Sequence, residues 1–289
     1  MLLFFCRAMA CLPLRWVHTT GAFFGWLSYL IDQKSNRIAL ANIKQSGLTA
    51  SAHEAQQLVK SSRIEAGKAI FETFFIWGSG SAKLLPLIQQ VHGWEHVLEA
   101  QAQHKGLIFL TPHLGCFEIT SIYYGDRAPI TVLYRPPKMA LLSELVVKGR
   151  QKGTVDMAPA NAGGVKKLLQ ALKSGQAIGI LPDQIPRQGE GEWADFFGKP
   201  AYTMGLASKL ASKAEAVIVM AFGERLPAGK GYAIHLTRVA DISTPALLNQ
   251  AIERQVAQCP AQYLWQYNRY KQRRYALHKL PPTGQQPEQ

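Results

Sequence analysis

A chain of 289 residues, 47% hydrophobic and 18% charged, is long enough to bury a sizeable core and too apolar to be a disordered chain. Its formal net charge of +13 and pI near 9.7 favour an anionic partner: nucleic acid, an anionic membrane surface, an acidic protein or a phosphorylated substrate. Cys6, Cys11, Cys116 and Cys259 show neither C-x-x-C pairing nor zinc spacing with histidines, so they read as reduced thiols in a cytosol-facing protein, against a disulfide framework or a metal centre.

The first segment, "MLLFFCRAMACLPLRWVHTTGAFFGWLSYLI", is apolar and aromatic, interrupted only by Arg7, Arg15 and His18. Its uncharged run from Trp16 to Ile31 falls a little short of the ~20 residues a spanning helix needs, and it shows no small-residue cleavage site. A retained anchor over residues 1–34 is expected, as two amphipathic helices in the interface or one marginal span, with a buried helical hairpin as the alternative. From Asp32 to Trp77 apolar residues recur at helical spacing, and "TASAHE" supplies a helix start. The rhythm changes near Leu107. Short β-branched and aliphatic runs, "LIFLTPH", "ITVLYRPP", "AIGILPDQ" and "AVIVMAFGER", alternate with the helical stretches "GGVKKLLQALKSG" and "TMGLASKLASKAE", and "YAIHLTRVAD" and "ALLNQAIERQVAQCP" add a further strand and a late helix. That alternation predicts an α/β fold with a mostly parallel central sheet flanked by helices, as a single domain over 35–280 with a frayed tail at 281–289.

Polar residues stand at the ends of these runs, where open α/β sheets bind ligands. His113 and Glu118 follow the first, Tyr134 and Arg135 the second, Asp183 and Gln184 the third. His113 and Glu118 do not face each other in a regular helix; they meet if His113 precedes the first turn, an arrangement suited by Pro112 and Gly115. A carboxylate bonded to one ring nitrogen fixes the tautomer and raises the basicity of the other, which a general base acting on a hydroxyl requires. The alternative is a loop histidine with a satisfied partner. Asp183 and Gln184 either belong to the site or cap a turn. Arg135, Lys138 and Arg150 either bind anionic groups or form a solvated basic face, and Gly163 with Gly164 stand where a helix amino terminus receives an anion. Cys116, inside the motif, offers a thiol nucleophile as the lesser alternative. Phe196 and Phe197 read as core or pocket wall, Tyr263, Trp265 and Tyr267 as packing, and Arg269, Lys271, Arg273 and Arg274 as facing anionic lipid.

The motif His113-x-x-x-x-Glu118, followed by "LYRPPK", "KGRQKG", "LPDQIP", "DFFGKPAYTMGLASKLA" and "PAQYLWQYNRYK", resembles the late acyltransferases of lipid A biosynthesis, the lauroyl and myristoyl transferases of Gram-negative bacteria, over nearly the whole chain. The resemblance implies a glycerolipid acyltransferase-like fold in an enzyme on the cytoplasmic face of the inner membrane. It would move an acyl group from acyl carrier protein to a hydroxyl of a hydroxyacyl chain on the sugar-bearing lipid A precursor, with no bound cofactor or metal. By the same resemblance His113 is the general base and Glu118 its orienting acid, while Arg150 matches the family's basic segment and Asp183 with Gln184 its Asp-Gln pair; on chemistry, Arg150 is the third catalytic residue, a cation for the oxyanion of thioester attack, and Tyr134, Arg135, Lys138, Gly163, Gly164, Asp183 and Gln184 are the substrate-binding candidates. The implied partners are acyl carrier protein, the lipid A precursor and anionic inner-membrane lipids, and no nucleic acid. Two alternatives stand beside this reading: the same machinery with a lysophospholipid or amino-acid lipid as acceptor, and a non-catalytic basic protein binding membrane or nucleic acid through charge alone.

Overall fold

The computed structural model describes residues 2–137 and 140–271. Lys138, Arg273, Arg274 and the expected tail at 281–289 lie outside the described residues.

Helices come first: α1 (Leu2–Cys11), α2 (Leu14–Ile31), α3 (Gln33–Ser46), α4 (Ala52–Gly78) and the short α5 (Ser81–Leu84). The starts follow from local chemistry. Asp32 caps α3 through Ser35 N–H, and Ser51 caps α4 through Glu54 N–H while Glu54 accepts from Ala50 N–H, a reciprocal arrangement that satisfies donors the helix cannot. Helix α2 presses its Leu14, Val17, His18, Gly21 and Gly25 face inward. Gly21 and Gly25 meet Gly67 of α4 backbone to backbone, so close that a Cβ at Gly67 would overlap the Gly21 carbonyl.

The expectation of a marginal membrane span is corrected here: among the described residues no helix is long and apolar enough to cross a membrane. The reason lies in the face of α2 that packs on α4, where a histidine and two glycines replace lipid-facing aliphatics. Its outer face remains apolar, with Trp16 61% and Ile31 71% exposed.

Beyond the helical layer run β1 (Ile88–His92), α6 (Glu95–Ala102), β2 (Leu107–Leu110), α7 (Phe117–Gly125), β3 (Ile130–Tyr134), α8 (Ala140–Arg150), β4 (Val155–Pro159), α9 (Ala162–Lys173) and β5 (Ala177–Ile180). An antiparallel hairpin of β6 (Gly191–Phe196) and β7 (Lys199–Met204) precedes α10 (Leu206–Ala214), β8 (Val217–Arg225), β9 (Tyr232–Val239) and α11 (Pro245–Gln258). Seven strands form one sheet in the order β1-β9-β8-β2-β5-β3-β4, parallel except where β9 runs against β8. The α/β reading holds.

Strand geometry divides the core in two. Successive side chains point to opposite faces, so Ile108, Leu110, Ile178, Ile180, Ile218 and Met220 join α9, α10 and α11 on one side, while Leu107, Phe109, Ala177, Val217 and Val219 join α2, α6 and α7 on the other. Helix α4 serves both cores, Ala55 and Val59 in the first, Phe75 and Ile76 in the second. The "FFGKP" stretch holds the two-residue turn of the β6–β7 hairpin, with Phe197 at φ +49° and Gly198 at φ +71°, the primed turn that matches strand twist.

Candidate active site

Strand β2 ends on Leu110, and the chain then runs Thr111-Pro112-His113-Leu114-Gly115-Cys116 into α7. Beside β2 lies β5, with Leu110 in register with Ile180, and Thr111 N–H donates to the Ile180 carbonyl at 2.9 Å. Equal steps beyond that pair stand His113 and Asp183. His113 N–H donates to Asp183 Oδ2 at 2.9 Å, and Nδ1 meets Oδ1 at 2.8 Å. An ionised carboxylate only accepts, so Nδ1 bears the proton and Nε2 carries the lone pair. Nε2 lies 3.1 Å from the side-chain amide nitrogen of Gln184, which is therefore the donor in that contact. Burial, the largest influence on Asp183, pushes its carboxyl up, but His113, by its charge when Nε2 is also protonated and by its two donors, more than offsets it and holds Asp183 below the ordinary carboxylate range. The Tyr263 phenol lies beside the same carboxylate and is pushed well up, first by its own burial.

The expected bond between His113 and Glu118 is corrected. Gly115, at φ +60°, folds the chain back between the two residues, leaving the His113 ring beside Phe117, 5.1 Å between centroids, and turned to Asp183. Glu118, in the first turn of α7 and buried, pairs instead with Arg150 at the end of α8. Nε donates to both carboxylate oxygens at 2.9 Å and Nη2 to Oε1 at 2.6 Å. This fork-on-carboxylate geometry is the strong form of the ion pair. Burial depresses the guanidinium, but Glu118 reverses that and raises it above its ordinary value.

His113, Gln184 and Arg150 open onto one cavity of about 470 Å³. Tyr134 and Arg135 line it as well, with Lys209 of α10. Other expectations fare differently. Asp183 is not a substrate ligand in the lining; it is buried and engaged by His113. Gly164 N–H donates to Asn161 Oδ1 at 2.9 Å, and its missing side chain lets α9 rest on the Pro159 carbonyl, so that amide is not available to an anion. Gly163 sits exposed on the same turn, where Asn161, Ala162 and Val165 supply the lining. Arg269 does not face lipid: it is buried, donating to the Tyr202 carbonyl and Thr203 Oγ1 at 2.8 Å each. Cys116 is buried and its thiol is pushed well above the ordinary range, chiefly by that burial, which makes it a poor nucleophile.

Two groups escaped sequence reasoning. Lys209 carries no motif, only a place on the first turns of α10. The pairing of Asp183 with His113 had a signal, two polar residues placed alike beyond two apolar runs, which becomes readable once β2 and β5 are neighbours.

The arrangement can take a proton from a hydroxyl at Nε2 while a cation stands nearby for a developing oxyanion. Arg150 uses Nε and Nη2 on Glu118, and among the described residues Nη1 has no hydrogen-bond partner. Comparison with known proteins fits this chemistry. The family model described as bacterial lipid A biosynthesis acyltransferase matches residues 1–272. The chain is 24% identical over 270 residues to the lipid A biosynthesis lauroyltransferase of Escherichia coli (strain K12), covering 91% of this chain and 87% of that protein. It is 26% identical over 265 residues to the lipid A biosynthesis palmitoleoyltransferase of the same strain, covering 88% and 84%. A lipid A biosynthesis acyltransferase of Haemophilus influenzae is 24% identical over 278 residues, covering 92% and 88%.

Proposed function

We propose that this chain, which belongs to the bacterial lipid A biosynthesis acyltransferase family, moves a fatty acyl group from an acyl carrier protein thioester to a hydroxyl of a hydroxyacyl chain on the sugar-bearing lipid A precursor. The observation that carries the reading is His113, fixed at Nδ1 by Asp183, with Nε2 and Arg150 on one cavity. In the reaction the acceptor hydroxyl takes the place of the Gln184 amide at Nε2 and gives up its proton there. The oxygen attacks the thioester carbonyl, and the oxyanion of the tetrahedral intermediate forms beside Arg150 Nη1. Collapse breaks the carbon–sulfur bond, and His113 returns the proton to the departing thiol. No acyl-enzyme is needed, because a thioester is already activated. Arg135 and Lys209 at the cavity supply charge for an anionic head group.

The site works at the cytoplasmic face of the inner membrane in this reading, with the exposed aromatic faces of α1 and α2 resting among lipid head groups. Relatives named for lauroyl and palmitoleoyl transfer leave the chain length to experiment. The test is a mass-spectrometric transfer assay on purified protein, pairing a panel of acyl carrier protein thioesters with the tetraacylated precursor, wild type beside His113→Ala. Addition of one acyl group by the wild type, reduced at least about 100-fold in the variant, supports donor, acceptor and base together. Acylation of a lysophospholipid instead of the precursor overturns the acceptor.

A further inference from the structure

Beneath the His113 turn lies a second set of buried polar groups that the transfer chemistry does not touch. Glu72 of α4 is buried, its two oxygens 3.1 and 3.0 Å from Arg225 Nε and Oε1 3.0 Å from Nη2. His18 of α2, also buried, places Nε2 3.0 Å from the same carboxylate. Arg225, the last residue of β8, donates from Nη2 to the Gly115 carbonyl at 2.8 Å. Its main chain is paired with one side chain, Arg225 N–H donating to Gln262 Oε1 at 2.9 Å and Gln262 Nε2 donating to the Arg225 carbonyl at 3.1 Å. The Gln262 carbonyl in turn accepts from Gly115 N–H at 3.1 Å. Gly115 is thus gripped at both of its polar atoms by two residues that hold each other.

Stability alone is a weak reason for this arrangement, since well-packed apolar groups commonly replace a buried ion pair without loss. Apolar groups cannot donate to Gly115. That residue is the hinge between His113 and α7, it sits at φ +60°, and a glycine left to itself has wide conformational freedom. Something must set its peptide planes.

We propose that Arg225 is a positioning residue for acyl transfer: through the Gly115 carbonyl it fixes the His113 ring so that Nδ1 meets Asp183 and Nε2 faces the cavity, and Glu72 and His18 hold Arg225 in place. The orientation of the base is thereby tied to the seating of α2 on α4. The proposal rests on the reading of His113 as the base.

The experiment compares wild type with Arg225→Met/Glu72→Leu, which removes both charges together, and with Arg225→Lys, which keeps the charge opposite Glu72 but cannot also reach Gly115. Each is assayed for transfer and melting temperature, and the His113 Nδ1–H resonance is followed in histidine-labelled protein, assigned by its loss in His113→Ala. Displacement of a reacting group by about 1 Å costs about 100-fold, so kcat is expected to fall about 10- to 100-fold in the double variant and about 10-fold in Arg225→Lys, with KM for both substrates within about two-fold, and the Nδ1–H resonance to shift in both. A variant melting like wild type whose turnover stays within about two-fold of it and whose Nδ1–H is unmoved overturns the proposal. If the double variant does not fold, Arg225→Lys decides alone. If the wild type transfers nothing, the functional reading fails, and the resonance still decides: a shift supports positioning by Arg225, an unchanged signal rejects it.

Discussion

The basicity of His113 Nε2 depends on what its other nitrogen touches. With an ionised Asp183 as acceptor, Nδ1 must hold the proton and Nε2 must be free to take one. An Asp183→Asn variant keeps the shape but not that constraint: when the amide nitrogen donates to Nδ1, the ring proton moves to Nε2 and the base is blocked. Turnover is expected to drop by about 10²- to 10⁴-fold, the range a positioned base supplies, with substrate KM nearly unchanged, as steady-state kinetics would show. Retention of most activity would mean that Asp183 is a turn-holding residue and no more. Glu118 belongs to a different unit. Its partner Arg150 is the group whose charge it balances and whose guanidinium it orients, so Arg150→Lys, which preserves charge but loses the fork, is expected to lower kcat and kcat/KM together.

At the level of elements, context separates residues that look alike in sequence. Gly163 and Gly164 are adjacent at the start of α9, yet a Cβ at Gly163 would meet nothing closer than Asn161 Oδ1 at 3.4 Å, whereas one at Gly164 would overlap the Pro159 carbonyl. Gly163→Ala is therefore expected to stabilise by about 0.4–1 kcal/mol through the unfolded chain. Gly164→Ala is expected to destabilise by about 1–3 kcal/mol, the range of a forced overpacking, and paired thermal melts would show the opposite signs. The same dependence on context sets what was legible in the sequence. Strands β2, β3, β5 and β8 are readable because each is rich in β-branched and aliphatic residues, and the turn residues after them mark one end of the sheet. Strand β4, "VDMAP", carries an aspartate and a proline, and β7 begins Lys199-Pro200; both escape a pattern built on hydrophobic runs because they pair at an edge or in a hairpin. Chain distance is visible in a sequence and strand order is not, so the sequence points to Glu118 as the partner of His113 where the sheet supplies Asp183. His18 looked like an interruption in an apolar segment, and only the approach of Glu72 from α4 gives it a role.

The whole molecule sets buried charge inside against basic and aromatic surface outside, and each half predicts a solution property. Burial, the largest influence on Glu72, pushes its carboxyl up, but Arg225 and His18 overcome it and hold it near about 2 against an ordinary 4.5. A carboxylate depressed in the folded state stabilises above its unfolded value and loses that contribution as pH falls through the folded one. The stability carried by Glu72, roughly 3 kcal/mol, is therefore fully present above about pH 4.5 and disappears between there and about pH 2, a window that denaturant titrations at stepped pH would reveal. Outside, Phe23 stands 5.5 Å from Phe24 and 6.2 Å from Trp26, and Phe24 stacks on Phe71 of α4 at 5.3 Å, so the exposed rings of Phe23, Phe24 and Trp26 form one continuous patch on a chain of net charge +13. At an anionic membrane two forces would act. Attraction to anionic lipid, about 1 kcal/mol for each nearby Lys or Arg, weakens with salt, while burial of the rings in the head-group region does not. Binding of the wild type to anionic vesicles should fall with salt to a plateau, and Phe23→Ser/Trp26→Ser should lower that plateau by about 2 kcal/mol, roughly thirty-fold, for two half-exposed rings. If flotation instead shows the variant binding like wild type at high salt, the aromatic face of α2 is not the surface that meets the membrane, and the basic charge alone carries the association.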